Sequence, residues 1–319
     1  MPNIIVVGSL NADLVVRAPR FPQPGETISG EDLKIIPGGK GANQSVAAAR
    51  QGASVAMVGR VGRDSFGPEL INNLKQNGVD TAYVQIDSQA ATGTATIIVD
   101  ANGQNSIVLS PGGNGRVRAA DLDQVPFSDY KLLLLQLEIP VEPVLAATQH
   151  AKEHGLWVML NPAPARALPE KLFSLPDFIV PNEGELSLLT NQPVHDLPSA
   201  EKAAKVLIAL GAQTVIVTLG PNGALIVNKS LTKHIPPFRV DVVDTTAAGD
   251  AFIGGFAARL LESDGALASL SAQEQALQDA VRYGCACGAL AATKFGAQPS
   301  MPTKQEVEEF INQSPISRL

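Results

Sequence analysis

The sequence predicts an α/β fold, with a mostly parallel central sheet flanked by helices on both faces and a small β-sheet inserted into it. Three observations carry this expectation. Short apolar runs at residues 4–8, 54–58, 132–136, 157–160, 178–180 and 214–218 read as strands buried on both faces. Longer stretches with helical character lie between them, at 42–51, 67–77, 141–154, 183–190 and 200–210, and this alternation builds parallel sheets. Four further β-like segments, 12–17, 27–36, 94–99 and 106–110, break the rhythm, with no helix between 12–17 and 27–36 or between the last two. The last two are joined by the turn-rich Asp100-Ala101-Asn102-Gly103-Gln104, and all four are expected to form a small antiparallel sheet. Insertions 12–36 and 93–110 would thus make a lid, or a dimer surface, on one domain spanning 1–319.

Helix ends are marked. Gly78 and Gly211 fall just past two of the helical stretches, and Ser271…Glu274 and Thr303…Glu306 have capping-box spacing. With 319 residues, 45% apolar and 17% charged, the chain can bury a sizeable core, built from aliphatic residues because aromatics are only 4%.

Composition also excludes classes of function. The net charge is −7 and no Lys/Arg run stands out, so a general nucleic-acid surface is not expected. Cys285 and Cys287, two apart on one helix, face different ways; they read as thiols in a reducing cytosol rather than a disulfide. No Cys/His spacing suits zinc. Residues 1–8 read as a strand rather than a signal peptide, and 132–135 is too short to cross a bilayer, so a soluble cytoplasmic protein is expected. A Walker A loop is missing, since the Gly39-Lys40 pair is followed by Gly41, and no G-x-G-x-x-G follows the first strand.

Five segments carry chemistry. Asp244-Thr245-Thr246-Ala247-Ala248-Gly249-Asp250 opens an apolar helix at 251–261; free N–H groups at such a start bind anions, and Asp250 can take a proton from an attacking hydroxyl. In Pro37-Gly38-Gly39-Lys40-Gly41-Ala42-Asn43, the glycines expose backbone to a ligand while Lys40 and Asn43 donate to hydroxyls. Asn11-Ala12-Asp13 follows the first strand, where α/β sheets bind ligands, and Asp13 suits a vicinal diol. Asn182 and Glu185, in Pro181-Asn182-Glu183-Gly184-Glu185, fit the hydrated magnesium that accompanies ATP. Thr218-Leu219-Gly220-Pro221-Asn222-Gly223 could hold a nucleotide phosphate or ribose. Each has a plainer reading when taken alone: acidic helix caps at Asp250 and Glu185, an Asx-turn at Asp13, and turns at the glycines.

Together, in this order and at strand ends, the segments resemble the ribokinase-like carbohydrate kinases, the phosphofructokinase-B family, from Val7-Gly8-Ser9 to Gly296-Ala297-Gln298-Pro299-Ser300. Gly38-Gly39-Lys40-Gly41-Ala42-Asn43-Gln44 and Asn161-Pro162-Ala163-Pro164-Ala165-Arg166 most resemble the branch that phosphorylates D-ribose. The resemblance implies that Asn11, Asp13, Gly39, Lys40, Asn43 and Glu138 bind the sugar. Asp250 would activate its 5-hydroxyl, and the backbone from Ala247 through Ala248 and Gly249 to Asp250 would form an anion hole. Asn182, Thr218, Gly220, Gly223, Gly249 and Cys285 would meet ATP, with Glu185 positioning Mg²⁺. Asp244, Thr246, Ala291, Lys294, Gly296 and Ser300 would hold an activating K⁺, largely through carbonyls, and the lid would form a homodimer contact. Ala247 stands where the wider family has glycine, so only Gly249 is expected to need a strained backbone. Cys285 stands where some members place a histidine beside adenine. Other acceptors (deoxyribose, a nucleoside, another sugar) and a non-catalytic sugar-binding protein are the competing readings.

Overall fold

The structure, a computed structural model, describes residues 3–263 and 270–314, the side chains of 3 and 270–272 excepted. Strands β1 (Asn3–Val7), β4 (Ser54–Gly62), β5 (Val79–Asp87), β8 (Leu132–Leu135), β9 (Trp157–Leu160), β10 (Phe178–Ile179), β11 (Thr214–Thr218), β12 (Ala224–Asn228) and β13 (Thr232–Ile235) form one sheet. Its order is β13-β12-β11-β10-β9-β8-β1-β4-β5, parallel from β11 through to β5 and antiparallel at β12 and β13. The two faces divide β1 by period two. Ile4 and Val6 pack with one group of helices, whereas Ile5 and Val7 pack with the other, and all four are fully buried.

Against the first face lie α1 (Lys40–Arg50), α2 (Phe66–Gln76), α7 (Ala248–Glu262), α8 (Leu270–Ala292) and α9 (Lys304–Gln313). The second carries α3 (Val141–Glu153), α4 (Lys171–Ser174) and α6 (Leu197–Ala209), with α5 (Glu183–Thr190) packed beside α6. The capping box at Thr303…Glu306 forms; the one expected at Ser271 lies outside the described side chains. Cys285 and Cys287 are both free. Among the described residues no helix is long and apolar enough to cross a membrane.

The inserted sheet departs from expectation in two ways. β2 (Asn11–Arg17), β3 (Lys34–Gly38), β6 (Gly93–Val99) and β7 (Asn105–Ser110) pair in the order β3-β2-β6-β7, but β2 and β6 run parallel, so the sheet is mixed rather than antiparallel. Their parallel register places Asn11 opposite Gly93. The strand read at 27–36 is also shorter. Residues 27–33 are mostly exposed and have no ladder, although Glu31 N–H donates to Arg17 O at 2.7 Å.

Close helix packing sets up the site. A Cβ on Gly254 would overlap Ala47 Cβ, and one on Gly41 would stand 2.6 Å from Ser9 N. Glycine at these positions lets α1 lie against both α7 and the end of β1. The N-terminal turns of α1 and α7 therefore open side by side above the sheet.

Candidate active site

The chain leaves β1 for β4 on one side and β8 on the other, so the strand order reverses there and a crevice opens at the carboxyl ends. Ser9 Oγ donates to Glu138 Oε2 at 2.6 Å across that crevice, and Lys40 N–H reaches the same oxygen at 3.1 Å. Asn11 Nδ2 lies 3.4 Å from it. Asp13 follows on β2 and lies so close over Gly38 that a Cβ there would overlap its carboxylate. Gly39, the N-cap of α1, has φ 87° and sits against the backbone of 9–11, where no side chain fits.

Asp250 lies in the first turn of α7, buried, and is gripped from α1. Asn43 Nδ2 donates to Oδ2 at 2.9 Å and Gln44 Nε2 to Oδ1 at 3.0 Å. Ala248 N–H returns to Thr245 O at 3.2 Å, while the N–H groups of Gly249 and Asp250 find no protein acceptor among the described residues. They sit where a helix start favours an anion. A Cβ on Gly249 would meet nothing within 4 Å, so a ligand can approach that backbone closely.

Asp250, Gly249, Ala248 and Ala247 form one wall of a cavity of about 1110 Å³. Lys40, Asn182, Glu185, Thr218, Gly220, Gly223 and Cys285 line it as well, so the structure brings together most residues singled out for the nucleotide. The fold accounts for some of them without a ligand. Asn182 and Glu185 form a reciprocal capping box on α5, at 2.8 and 2.9 Å, which is the plainer reading of that pair.

The pocket concentrates negative charge. Burial and the neighbouring Glu138 and Asp250 push the Asp13 carboxyl up to about 7, with Lys40 pulling the other way. Burial raises Glu185 too, against its bond from Asn182 and the pull of Lys40. For Lys40 burial disfavours the ammonium, but Asp250, Glu138, Glu185 and Asp13 outweigh it and lift its pKa. Burial pushes the Cys285 thiol up to about 12, so it meets the cavity as a neutral, apolar group.

Behind the α7 start, Asp244 joins two loops. It accepts Thr246 N–H on Oδ1 and Gly296 N–H on Oδ2, both at 2.9 Å. Burial raises its pKa, yet these bonds prevail and hold it below the ordinary range. The carbonyls of Thr246, Gly296 and Ser300 accept no hydrogen bond among the described residues, whereas Ala291 O accepts Lys294 N–H at 3.1 Å. The Lys294 ammonium instead pairs with Glu306 at 2.7 Å.

A family model described as pfkB family carbohydrate kinase matches residues 1–304. The chain belongs to that family. It is 45% identical to the ribokinase of Haemophilus influenzae over 313 residues, 97% of this chain and 98% of that protein. It is 39% identical to the deoxyribokinase of Salmonella typhi, covering 97% and 99% of the two chains. The solved ribokinase of Thermotoga maritima superposes with a TM-score of 0.86 at 38% identity, covering 98% of this chain and all of that one. This pfkB kinase is therefore an ATP-dependent sugar kinase.

One expectation about the family's anion loop is reversed. The strained residue is Ala247, at φ 59° and ψ 11°, and Gly249 lies within the helix with no positive φ. A left-handed alanine costs about 1–2 kcal/mol, and it is needed here because Ala247 turns the chain into α7. The sequence reading also gave no role to Ser9, Gln44, Asn114, Gln136 or Asn161. Asn114 accepts Leu10 N–H at 2.9 Å and donates to Asn11 Oδ1 at 2.7 Å, which turns the Asn11 amide nitrogen toward Glu138. The parts of that signal lie 103 positions apart, so it could not be seen in the sequence.

Proposed function

We propose that this pfkB kinase transfers the γ-phosphoryl group of ATP to the 5-hydroxyl of D-ribose, giving ribose 5-phosphate and ADP. The observation that carries this is Asp250: a buried carboxylate, held on both oxygens, beside unpaired helix N–H groups on the wall of a nucleotide-sized cavity. Asp250 accepts the proton of the 5-hydroxyl as that oxygen bonds to the γ-phosphorus. The bond from phosphorus to the β–γ bridging oxygen breaks, and ADP leaves with that electron pair. The free N–H groups of Gly249 and Asp250, on the turn that runs from Ala247 through Ala248, offset with Lys40 the charge on the transferring group. Asn11, Asp13, Gly39, Lys40, Asn43 and Glu138 bind the sugar. Asn182, Thr218, Gly220, Gly223 and Cys285 flank the nucleotide.

Two ions fit the donors present. Glu185, close enough to Lys40 for each to shift the other, would help hold the Mg²⁺ that screens the ATP phosphates. Asp244, with the open carbonyls of Thr246, Gly296 and Ser300 and those of Ala291 and Lys294, would hold K⁺, an oxygen-only set suited to a hard cation. Exposed Ile35, Ile107, Val108 and Leu109 on the inserted sheet, with Leu33 just before β3, support its use as a homodimer face. We place the protein in the cytoplasm.

A coupled ADP-release assay over a panel of pentoses and nucleosides tests the reading. Ribose should be preferred, and Asp250→Asn should lower kcat by roughly 1,000-fold or more. Turnover near wild type in that variant would remove Asp250 as base. The deoxyribokinase of Salmonella typhi keeps 2-deoxyribose as the second reading, and equal kcat/KM on both sugars would favour it.

A further inference from the structure

We propose that Gln44 is a positioning residue for Asp250, fixed in one orientation by a chain of buried amides that begins at a main-chain carbonyl. This rests on Asp250 being the base. The chain starts at Val180 O, which has no proton to give. Asn161 Nδ2 donates to it at 2.9 Å, so Asn161 must turn its Oδ1 the other way. That oxygen lies 3.2 Å from Gln44 Nε2 and needs a donor. Gln44 therefore presents its NH₂ group on this side, and the second hydrogen goes to Asp250 Oδ1 at 3.0 Å. The other end of Gln44 agrees: its Oε1 accepts Gln136 Nε2 at 2.6 Å. The Asn161 end thus dictates the orientation, and the Gln136 end is compatible with it.

The orientation of Gln136 follows from that of Gln44. Its own Oε1 is buried without a partner, against Gly8, where a Cβ would overlap it. Turning that amide over would pair Oε1 with Gln44 Oε1, acceptor against acceptor. Gln44 is 0% exposed and does not line the cavity walled by Asp250, so it acts only through Asp250. A group that merely filled this space could be apolar, and the hydrogen-bond chain would then have no purpose.

The test uses the full-length enzyme with ATP and D-ribose. Gln44→Met should lower kcat roughly 30-fold, with both KM values within about twofold of wild type. Gln44→Glu sets a second carboxylate beside Asp250 and should move the acid limb of kcat upward by about one pH unit or more. Gln136→Met releases the far end of Gln44 and should cost kcat roughly fivefold at unchanged KM. A packing role alone would lower the melting temperature in all three but leave kcat per active site and the pH profile as in wild type, and that result overturns the proposal. Should Gln44→Met not fold, Gln136→Met and Gln44→Glu give the same decision. Loss of turnover in Asp250→Asn alongside full turnover in the Gln44 variants would sink this inference and leave Asp250 as base; full turnover in Asp250→Asn would sink the base itself.

Discussion

Where the inserted sheet joins the body, Arg60 is matched by two carboxylates. It makes a two-pronged contact with Asp121 at 2.6 and 2.7 Å and reaches Asp87 at 3.1 Å, and Arg116 adds a bond to Asp87 at 2.9 Å. Around Lys40, in the candidate active site, the balance is reversed, with Asp13, Glu138, Glu185 and Asp250 set about one ammonium. The first cluster is completed by the chain itself. Asp121 and Asp87 raise the Arg60 pKa, and Asp87 is held low by Gln89 N–H and by both arginines. The second sets one cation against four carboxylates, and burial there pushes the Asp13 and Glu185 carboxyls upward. Ion pairs that close on themselves fasten a structure, whereas carboxylates with a deficit of cations are an invitation to a ligand rich in hydroxyls.

If that contrast holds, removing a member should hurt the first cluster and relieve the second. Arg60→Met strands Asp121 and Asp87 and should lower stability by about 3 kcal/mol, measured by urea unfolding at pH 7. A loss below about 1 kcal/mol would mean that the cluster is not a fastening.

Asp13→Asn should act in the opposite sense on stability while damaging function. Because the folded pKa of Asp13, about 7, lies above the ordinary 3.8, the folded protein holds its proton more tightly than the unfolded chain. Stability is therefore lost as pH rises from about 4 through 7, and the loss is complete above 7. Asp13→Asn should melt higher than wild type at pH 8, with the gain shrinking toward pH 4. Its KM for ribose should rise roughly 30-fold, since a carboxylate bound to two hydroxyls is replaced by an amide that accepts at one atom only. In wild type kcat/KM for ribose should climb with pH through about 7, a limb the variant lacks. Equal melting temperatures at pH 8 would contradict the deficit.

How much of this was legible beforehand depends on how local each signal is. The central strands were read because strands buried on both faces are continuous apolar runs, as Leu132–Leu135 is. Three strands were overlooked: β5 and β13 are the sheet's edges, and polar residues such as Lys233 and His234 mask the pattern, whereas β12 is a buried apolar run that was missed despite carrying it. The parallel β2–β6 pairing joins segments some 80 positions apart, and no local pattern encodes it. The site divides the same way. Asp250, Lys40 and Asn182 stand at helix starts or strand ends in glycine-rich company, which singles them out in the sequence, and all three line one cavity. Gln44, Asn114, Gln136 and Asn161 are single amides whose meaning lies in partners far along the chain.

Ala247 is the smallest of the features that set the two regions apart. The joint at Arg60 carries no positive φ among its four residues, while the active-site wall carries an alanine at φ 59°. Ala247→Gly would release about 1–2 kcal/mol of strain in the folded state. Glycine also frees the unfolded chain, which returns about 0.4–1 kcal/mol of that gain. The net expectation is a stabilisation of about 0.5 kcal/mol, read as a rise of roughly 1 °C in Tm for a chain of this size. If the left-handed turn serves only to start α7 and aim its N–H groups, glycine adopts it equally well, and kcat should stay within about twofold of wild type. A fall of tenfold or more with Tm unchanged would show that the alanine methyl itself holds the anion loop in place. The strain would then belong to the catalytic geometry rather than to the turn.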